Sequence, residues 1–182
     1  GHKGHPEVIG TLGRHPADSD TNIYLVEDYE DINKLDINSS EIAYVTQTTL
    51  SVDETKGLIE ALQVKYPQII GPSADDICYA TQNRQDAVKQ LSLECEIVLV
   101  IGSKTSSNSN RLKELAEKCG TKSFLIDDKS DINIEELKHA TSVGITAGAS
   151  APEEIVQEVI SFLFPLGYKT VRNLSENLSL IH

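Results

Sequence analysis

Methionine is missing from all 182 residues, and the chain opens on Gly1-His2-Lys3. A translated protein begins with methionine, so the sequence is expected to be a piece of a longer one. Cysteine is scarce. Three residues, an odd and small number, do not make a disulfide framework, which points to a reducing, cytoplasmic setting. Long apolar runs are also missing: none approaches the ~18 residues of a membrane span, and nothing resembles a signal or transit peptide. Basic charge is short, with 16 Lys and Arg against 28 Asp and Glu and a net charge of −12. That balance lacks the footprint of a nucleic-acid binder. It also requires any anionic ligand to be held by local neutral donors rather than by the overall field. No dinucleotide glycine fingerprint and no Walker-type loop is present.

What is there is a globular composition, 39% hydrophobic and 24% charged, in a chain long enough for one large or two small domains. Three passages leave an apolar run through small hydroxyl, amide or glycine residues and enter a helix: 42–54, 98–111 and 143–154. A strand end, a tight polar loop and a helix N-terminus aim backbone N–H groups and short hydroxyls at one spot, a ready cradle for phosphate. Three such passages suggest repeated βα units that share a ligand.

Strands are predicted at 23–27, 42–47, 68–71, 97–101, 123–126 and 142–146, the fourth a continuous buried type. Helices are predicted at 28–35, from Ser51 as N-cap with Glu54 as capping-box partner, at 82–93, from about 110, and after Ser150-Ala-Pro152. Pro67 stops the second of these, and Gly120 sits where a C′ glycine ends the fourth. The order implies α/β architecture with mostly parallel sheets covered on both faces. It divides into two related three-layer domains, residues 1–74 and 75–163, and a tail at 164–182 without a strong period.

His2, His5 and Glu7 lie within six residues of one another. They suit an exposed loop, an acid–base pair with Glu as donor and His as anion contact, or a zinc site lacking a clear fourth ligand. Cys78 stands at a loop-to-helix junction, where a thiolate is favoured, whereas Cys95 and Cys119 read as core or near-core thiols. Ser51, Ser106, Ser107, Asn108 and Ser150 suit helix caps. The runs Thr46–Thr49 and Thr105–Ser109 hold more hydroxyls and amides than capping requires, which favours a ligand.

Five strings, at 1–11, 46–51, 75–85, 102–112 and 144–153, resemble 4-hydroxy-3-methylbut-2-enyl diphosphate reductase in order and over nearly the whole chain. The resemblance implies a trefoil of three α/β domains around a cavity. It implies a [4Fe-4S] cluster held by three cysteines, and reductive removal of the 4-hydroxyl of an allylic diphosphate in non-mevalonate isoprenoid synthesis. By the same resemblance Cys78 is a cluster ligand, Glu7 the proton donor and Thr48 its relay. His5, Ser106, Asn108 and Ser150 are diphosphate contacts, and Thr49, Thr81 and Ser107 neighbour them in the cavity. A ferredoxin- or flavodoxin-type donor is the implied partner. The family has a further N-terminal region that carries the other two ligands and two more histidines, so this chain alone is expected to be inactive. It is also expected to expose a sheet edge open to self-association. The alternative is a stand-alone diphosphate-binding module without redox activity.

Overall fold

In the computed structural model, residues 1–15, 20–72, 79–175 and 178–181 are described, and the chain forms two compact units, Gly1–Cys78 and Tyr79–His182.

The first unit contains helices α1 (Pro6–Gly13), α2 (Tyr29–Lys34) and α3 (Val52–Lys65). Ser51 caps α3, its Oγ accepting from Glu54 N at 3.5 Å, and the helix ends at Tyr66, ahead of Pro67. Ile32, Ile42, Leu62 and Tyr66 form the buried core, with Val26, Leu35, Ile37, Leu58, Ala61 and Ile69 packed around it. Burying each such aliphatic side chain contributes about 1.5–3 kcal/mol. Tyr66 also ties the chain together by donating from Oη to Leu35 O and accepting from Ile37 N. Lys65 Nζ donates to the carbonyls of Ile32 and Asn33 at the end of α2, adding side-chain donors where the helix runs out of its own.

The strands expected here are much reduced. Segments 42–47 and 68–71 meet in a single parallel bridge, Ala43 to Ile70, with Tyr44 N donating to Ile70 O and Ile70 N to Ile42 O. Pro72 has no N–H to extend the ladder, and the other segment bends into a turn at Thr48. Segment 23–27 makes no ladder. It is met by residues 1–3 instead, through Gly1 N to Val26 O and Lys3 N to Glu27 Oε1.

The second unit holds α4 (Tyr79–Glu94), β1 (Ile97–Ile101), α5 (Ser107–Lys118), β2 (Lys122–Ile126), α6 (Ile134–Leu137), β3 (Val143–Ala147), α7 (Glu153–Leu163), β4 (Val171–Ser175) and β5 (Leu178–Ile181). The sheet order is β2-β1-β3-β5-β4. Strands β2, β1 and β3 are parallel and in step, Ile101 lying opposite both Ile126 and Ala147. Alternate residues of a strand face opposite ways, and both faces are covered. Ile97, Leu99 and Ile101 pack with Leu137, Val159, Ile160 and Leu163, while Val98 and Val100 pack with Val88, Leu91, Leu112 and Ala116. This is the three-layer α/β arrangement expected from the continuous apolar strands.

Four boundaries differ from the sequence reading. Helix α4 starts at Tyr79 and α5 at Ser107, each about three residues early; the all-polar first turn of α5, Ser-Asn-Ser-Asn, lacks the apolar stripe that marks a helix. Ser150 does not cap α7: Pro152 occupies the N-cap position, with no side-chain cap bond. The tail is not irregular, since β5 pairs antiparallel with β3 and with β4. Strands of four and five residues are too short to show a period.

Candidate active site

In the first unit, His2 and His5 close a turn, His5 N donating to His2 O at 3.1 Å, with Gly4 between them at φ 85°. That left-handed conformation suits glycine. His5 then caps α1, its Nδ1 accepting from Glu7 N at 3.3 Å, so Glu7 sits in the first turn of a helix rather than in a loop. Both oxygens of Glu7 are engaged by Thr48, 41 residues away. Thr48 Oγ1 donates to Oε1 and Thr48 N to Oε2, each at 2.9 Å. The pair is exposed to solvent. Thr49 Oγ1 accepts from Gln47 Nε2 at 3.0 Å. Zinc is not favoured, because the carboxylate and His5 Nδ1 already have partners. Among the described residues no group of three His, Cys, Asp or Glu is placed to hold a metal.

In the second unit, β1 connects through α5 on one face to β2, and β2 connects through α6 on the other face to β3. The strand order therefore reverses between β1 and β3, the point where ligands gather in such sheets. The loop after β1 and the loop after β3 meet there, Gly148 N donating to Ile101 O at 2.8 Å. Helix α5 enters very close. A Cβ on Gly102 would fall 2.2 Å from Ser109 Oγ and 2.9 Å from its Cβ, and one on Gly148 would fall 2.3 Å from the same Oγ. Ser106 caps the helix, its Oγ accepting from Ser109 N at 3.3 Å and from Ser109 Oγ at 3.1 Å, which leaves its own proton to donate. Asn110 Nδ2 braces the loop by donating to Lys104 O and Ser106 O.

Asn108, in the first turn, is 7% exposed, and neither its Oδ1 nor its Nδ2 has a hydrogen-bond partner. Thr146, at the end of β3, is 2% exposed with Oγ1 likewise unsatisfied. Such groups cost about 1–3 kcal/mol each, and a bound ligand is one of the few explanations. Ser107 stands beside Asn108, half-buried. Ser150 is exposed in the turn after β3, and Thr81 is buried in α4. Near it Arg84 donates from Nη1 to Ala80 O and from Nε to Ala147 O, tying α4 to the end of β3.

The three polar passages are not equivalent. The first turn of α3 carries Asp53 and Glu54, and that of α7 carries Glu153 and Glu154. Those carboxylates already complement the helix dipole and repel an anion. The first turn of α5 has no acid. Sequence reasoning singled out neither Gly102, Gly148 nor Thr146. A glycine directly after each strand was the available signal.

Cys78 lies outside the described residues. Cys95 is buried against Leu91 and Gly144, and burial pushes its thiol up to about 11. Cys119, expected near the core, is exposed, because it occupies the C-cap of α5 where the helical face no longer points inward. An iron–sulfur cluster needs converging thiolates. These two cysteines, one an inert buried thiol and one on the surface, do not fit that role.

Fold and site together define an α/β protein with a polar, unsatisfied cradle at the switch point of a parallel sheet. The chain belongs to the family described as LytB protein, whose model matches residues 1–164. It is 58% identical over 92% of its length to a 4-hydroxy-3-methylbut-2-enyl diphosphate reductase of Alcanivorax borkumensis, spanning 54% of that protein. With the enzyme of the same name from Saccharophagus degradans it is 52% identical over 98% of its length, spanning 59% of that relative. Among solved structures it is similar to the E-1-hydroxy-2-methyl-but-2-enyl-4-diphosphate reductase from Plasmodium falciparum, with a TM-score of 0.81 and 33% identity. That match covers 89% of this chain and 50% of the other. The chain thus spans little more than half the length of the relatives it matches. No helix among the described residues is long and apolar enough to cross a membrane.

Proposed function

We propose that the intact protein of which this chain is part reductively removes the hydroxyl of an allylic diphosphate. In that reaction the C–O bond breaks, oxygen leaves as water, and two electrons and two protons are consumed. The observation that carries the reading is the double hydrogen bond between Glu7 and Thr48. A carboxyl group held by a neighbouring hydroxyl and amide suits passing a proton to a leaving oxygen, and Thr48 Oγ1 is the relay we assign to it. The second unit binds the diphosphate. Ser106 and Asn108 at the N-terminus of α5 donate to it, with Ser107, Ser150 and Thr81 as further contacts. Neutral donors and a helix dipole hold the anion, which suits a chain of net charge −12. Cys78 is the cysteine that the family resemblance assigns to a [4Fe-4S] cluster, with its other ligands outside this sequence. A ferredoxin- or flavodoxin-type protein is the proposed electron source.

Glu7→Gln in the intact protein tests the reading. Turnover is expected to fall on the order of 10²–10³-fold, as for loss of a general acid, with binding of isopentenyl diphosphate retained. Undiminished turnover would remove Glu7 from the mechanism. The cradle around α5 also supports a narrower reading, in which this chain alone is a diphosphate-binding module. Calorimetric titration of residues 1–182 with isopentenyl diphosphate checks it, and no heat at millimolar ligand would reject it.

A further inference from the structure

Gln47 is a polar residue on a loop, yet it is 5% exposed. Both ends of its amide are used, one on each of the two segments that carry Glu7 and Thr48. Oε1 accepts from His2 N at 3.0 Å, and Nε2 donates to Thr49 Oγ1 at 3.0 Å. Its main chain holds the turn that presents Thr48, Leu50 N donating to Gln47 O at 3.4 Å. The stem of the side chain lies against Gly1, where a Cβ would come within 3.5 Å of Gln47 Cβ.

Glu7 and Thr48, by contrast, are exposed. Water competes for every hydrogen bond between exposed groups, so their contact alone contributes little to holding the two segments in register. A buried amide with both ends satisfied is a better tie, because breaking it strands polar atoms away from water. We propose that Gln47 is a positioning residue, a buried tie between the histidine turn and the threonine turn that keeps Glu7 and Thr48 within hydrogen-bond distance. The inference rests on the acid–base role proposed for that pair, and it assigns Gln47 no contact with substrate.

Gln47→Met in the intact protein keeps length and volume and removes both hydrogen bonds. The direct readout is amide hydrogen exchange at Thr48, whose N–H bonds Glu7 and not Gln47. Losing one net hydrogen bond predicts about tenfold faster exchange at His2 and Thr48 and about a tenfold lower kcat. KM for the allylic diphosphate should move less than about threefold, because Gln47 itself does not touch the ligand. Gln47→Glu keeps the acceptor facing His2 and should restore Thr48 exchange to within about threefold of wild type. If Gln47→Met does not fold, Thr49→Val cuts the tie at its other end and should speed Thr48 exchange in the same sense. Unchanged exchange at Thr48 in the folded variant would show that Gln47 only fills space, and would overturn the proposal. Exchange is independent of turnover. Failure of Glu7→Gln to lower activity would therefore sink the acid–base reading while leaving the tie measurable.

Discussion

The site residues of the two units treat their hydrogen bonds in opposite ways. In the first, Glu7 has both oxygens occupied by Thr48, and Gln47 has both ends of its amide satisfied. In the second, Asn108 and Thr146 are buried with no partner at all. A group that moves a proton must be held at a fixed angle by the protein itself, so its partners are internal. A group that binds a ligand must leave its hydrogen bonds open until the ligand arrives, and the folded state bears that cost in stability. The contrast between a saturated site and a starved one supports the roles proposed above, proton transfer at Glu7 and anion binding at the start of α5, without reference to any bound molecule.

The sharpest way to break the contrast is to put a charge where the starved amide stands. Asn108→Asp in the intact protein places a carboxylate beside the anion. Like-charge juxtaposition of this kind should weaken binding of isopentenyl diphosphate about a hundredfold by calorimetry. Asn108→Leu should also weaken binding, yet raise the unfolding free energy by about 1 kcal/mol, since it removes an unsatisfied buried amide. A stability loss would show that Asn108 has internal partners. Next in size, Thr48→Val strips the hydroxyl from Glu7 Oε1 and leaves the backbone donor. Turnover should fall about thirtyfold with KM nearly unchanged, and a rise in KM alone would place Thr48 in binding instead.

Smaller effects sharpen the geometry of the cradle. Gly102→Ala drives a methyl against the Cβ of Ser109, which cannot rotate away, and should cost about 1–3 kcal/mol in urea unfolding. Gly148→Ala meets only the rotatable Oγ at short range, with Cβ at 3.6 Å, and should cost less. Equal costs would mean that α5 does not sit against β1 as described.

The smallest test concerns the thiols. Thiolate is the reactive form, and burial keeps Cys95 protonated until pH nears 11, so at pH 8 a thiol reagent should label Cys119 and spare Cys95. A pKa raised on folding favours the protonated state. The stability contributed by the neutral Cys95 thiol is therefore complete below the ordinary thiol range and is lost as pH climbs toward 11. Labelling of Cys95 at pH 8 in the folded protein would contradict its burial.

Much of the second unit was legible from residues alone. Ile97–Ile101 is a continuous apolar run of the doubly covered type, the strand expected at 142–146 lies within a residue of Val143–Ala147, and α7 shows its apolar face at Val159, Ile160 and Leu163. The first unit was less so. Helix α1 contains Gly10 and Gly13 and buries no residue, so it has neither propensity nor a stripe to announce it. The His5 cap places it. The parallel strands shrank to one bridge because Pro72 and the turn at Thr48 cut the ladder, which β-propensity alone does not register. At the site, an acid–base role for Glu7 was one of three readings the local spacing allowed, and the family resemblance selected it and added Thr48. Nothing in a spacing of 41 residues reveals that they touch. The unequal acidity of the three helix starts was in plain view at Asp53, Glu54, Glu153 and Glu154. It acquired meaning only when the first turn of α5 was seen to hold a buried, unpartnered amide.

The N-terminus of α5 is the proposed seat of the diphosphate. Titration of the nitrogen-15-labelled intact protein with isopentenyl diphosphate, read by NMR, tests that most directly. The prediction is a saturable shift of the Ser107, Asn108 and Ser109 amides and of the Asn108 side-chain NH₂, with the first turns of α3 and α7 unmoved. Saturable shifts at Asp53–Glu54 or Glu153–Glu154, with the start of α5 silent, would contradict it.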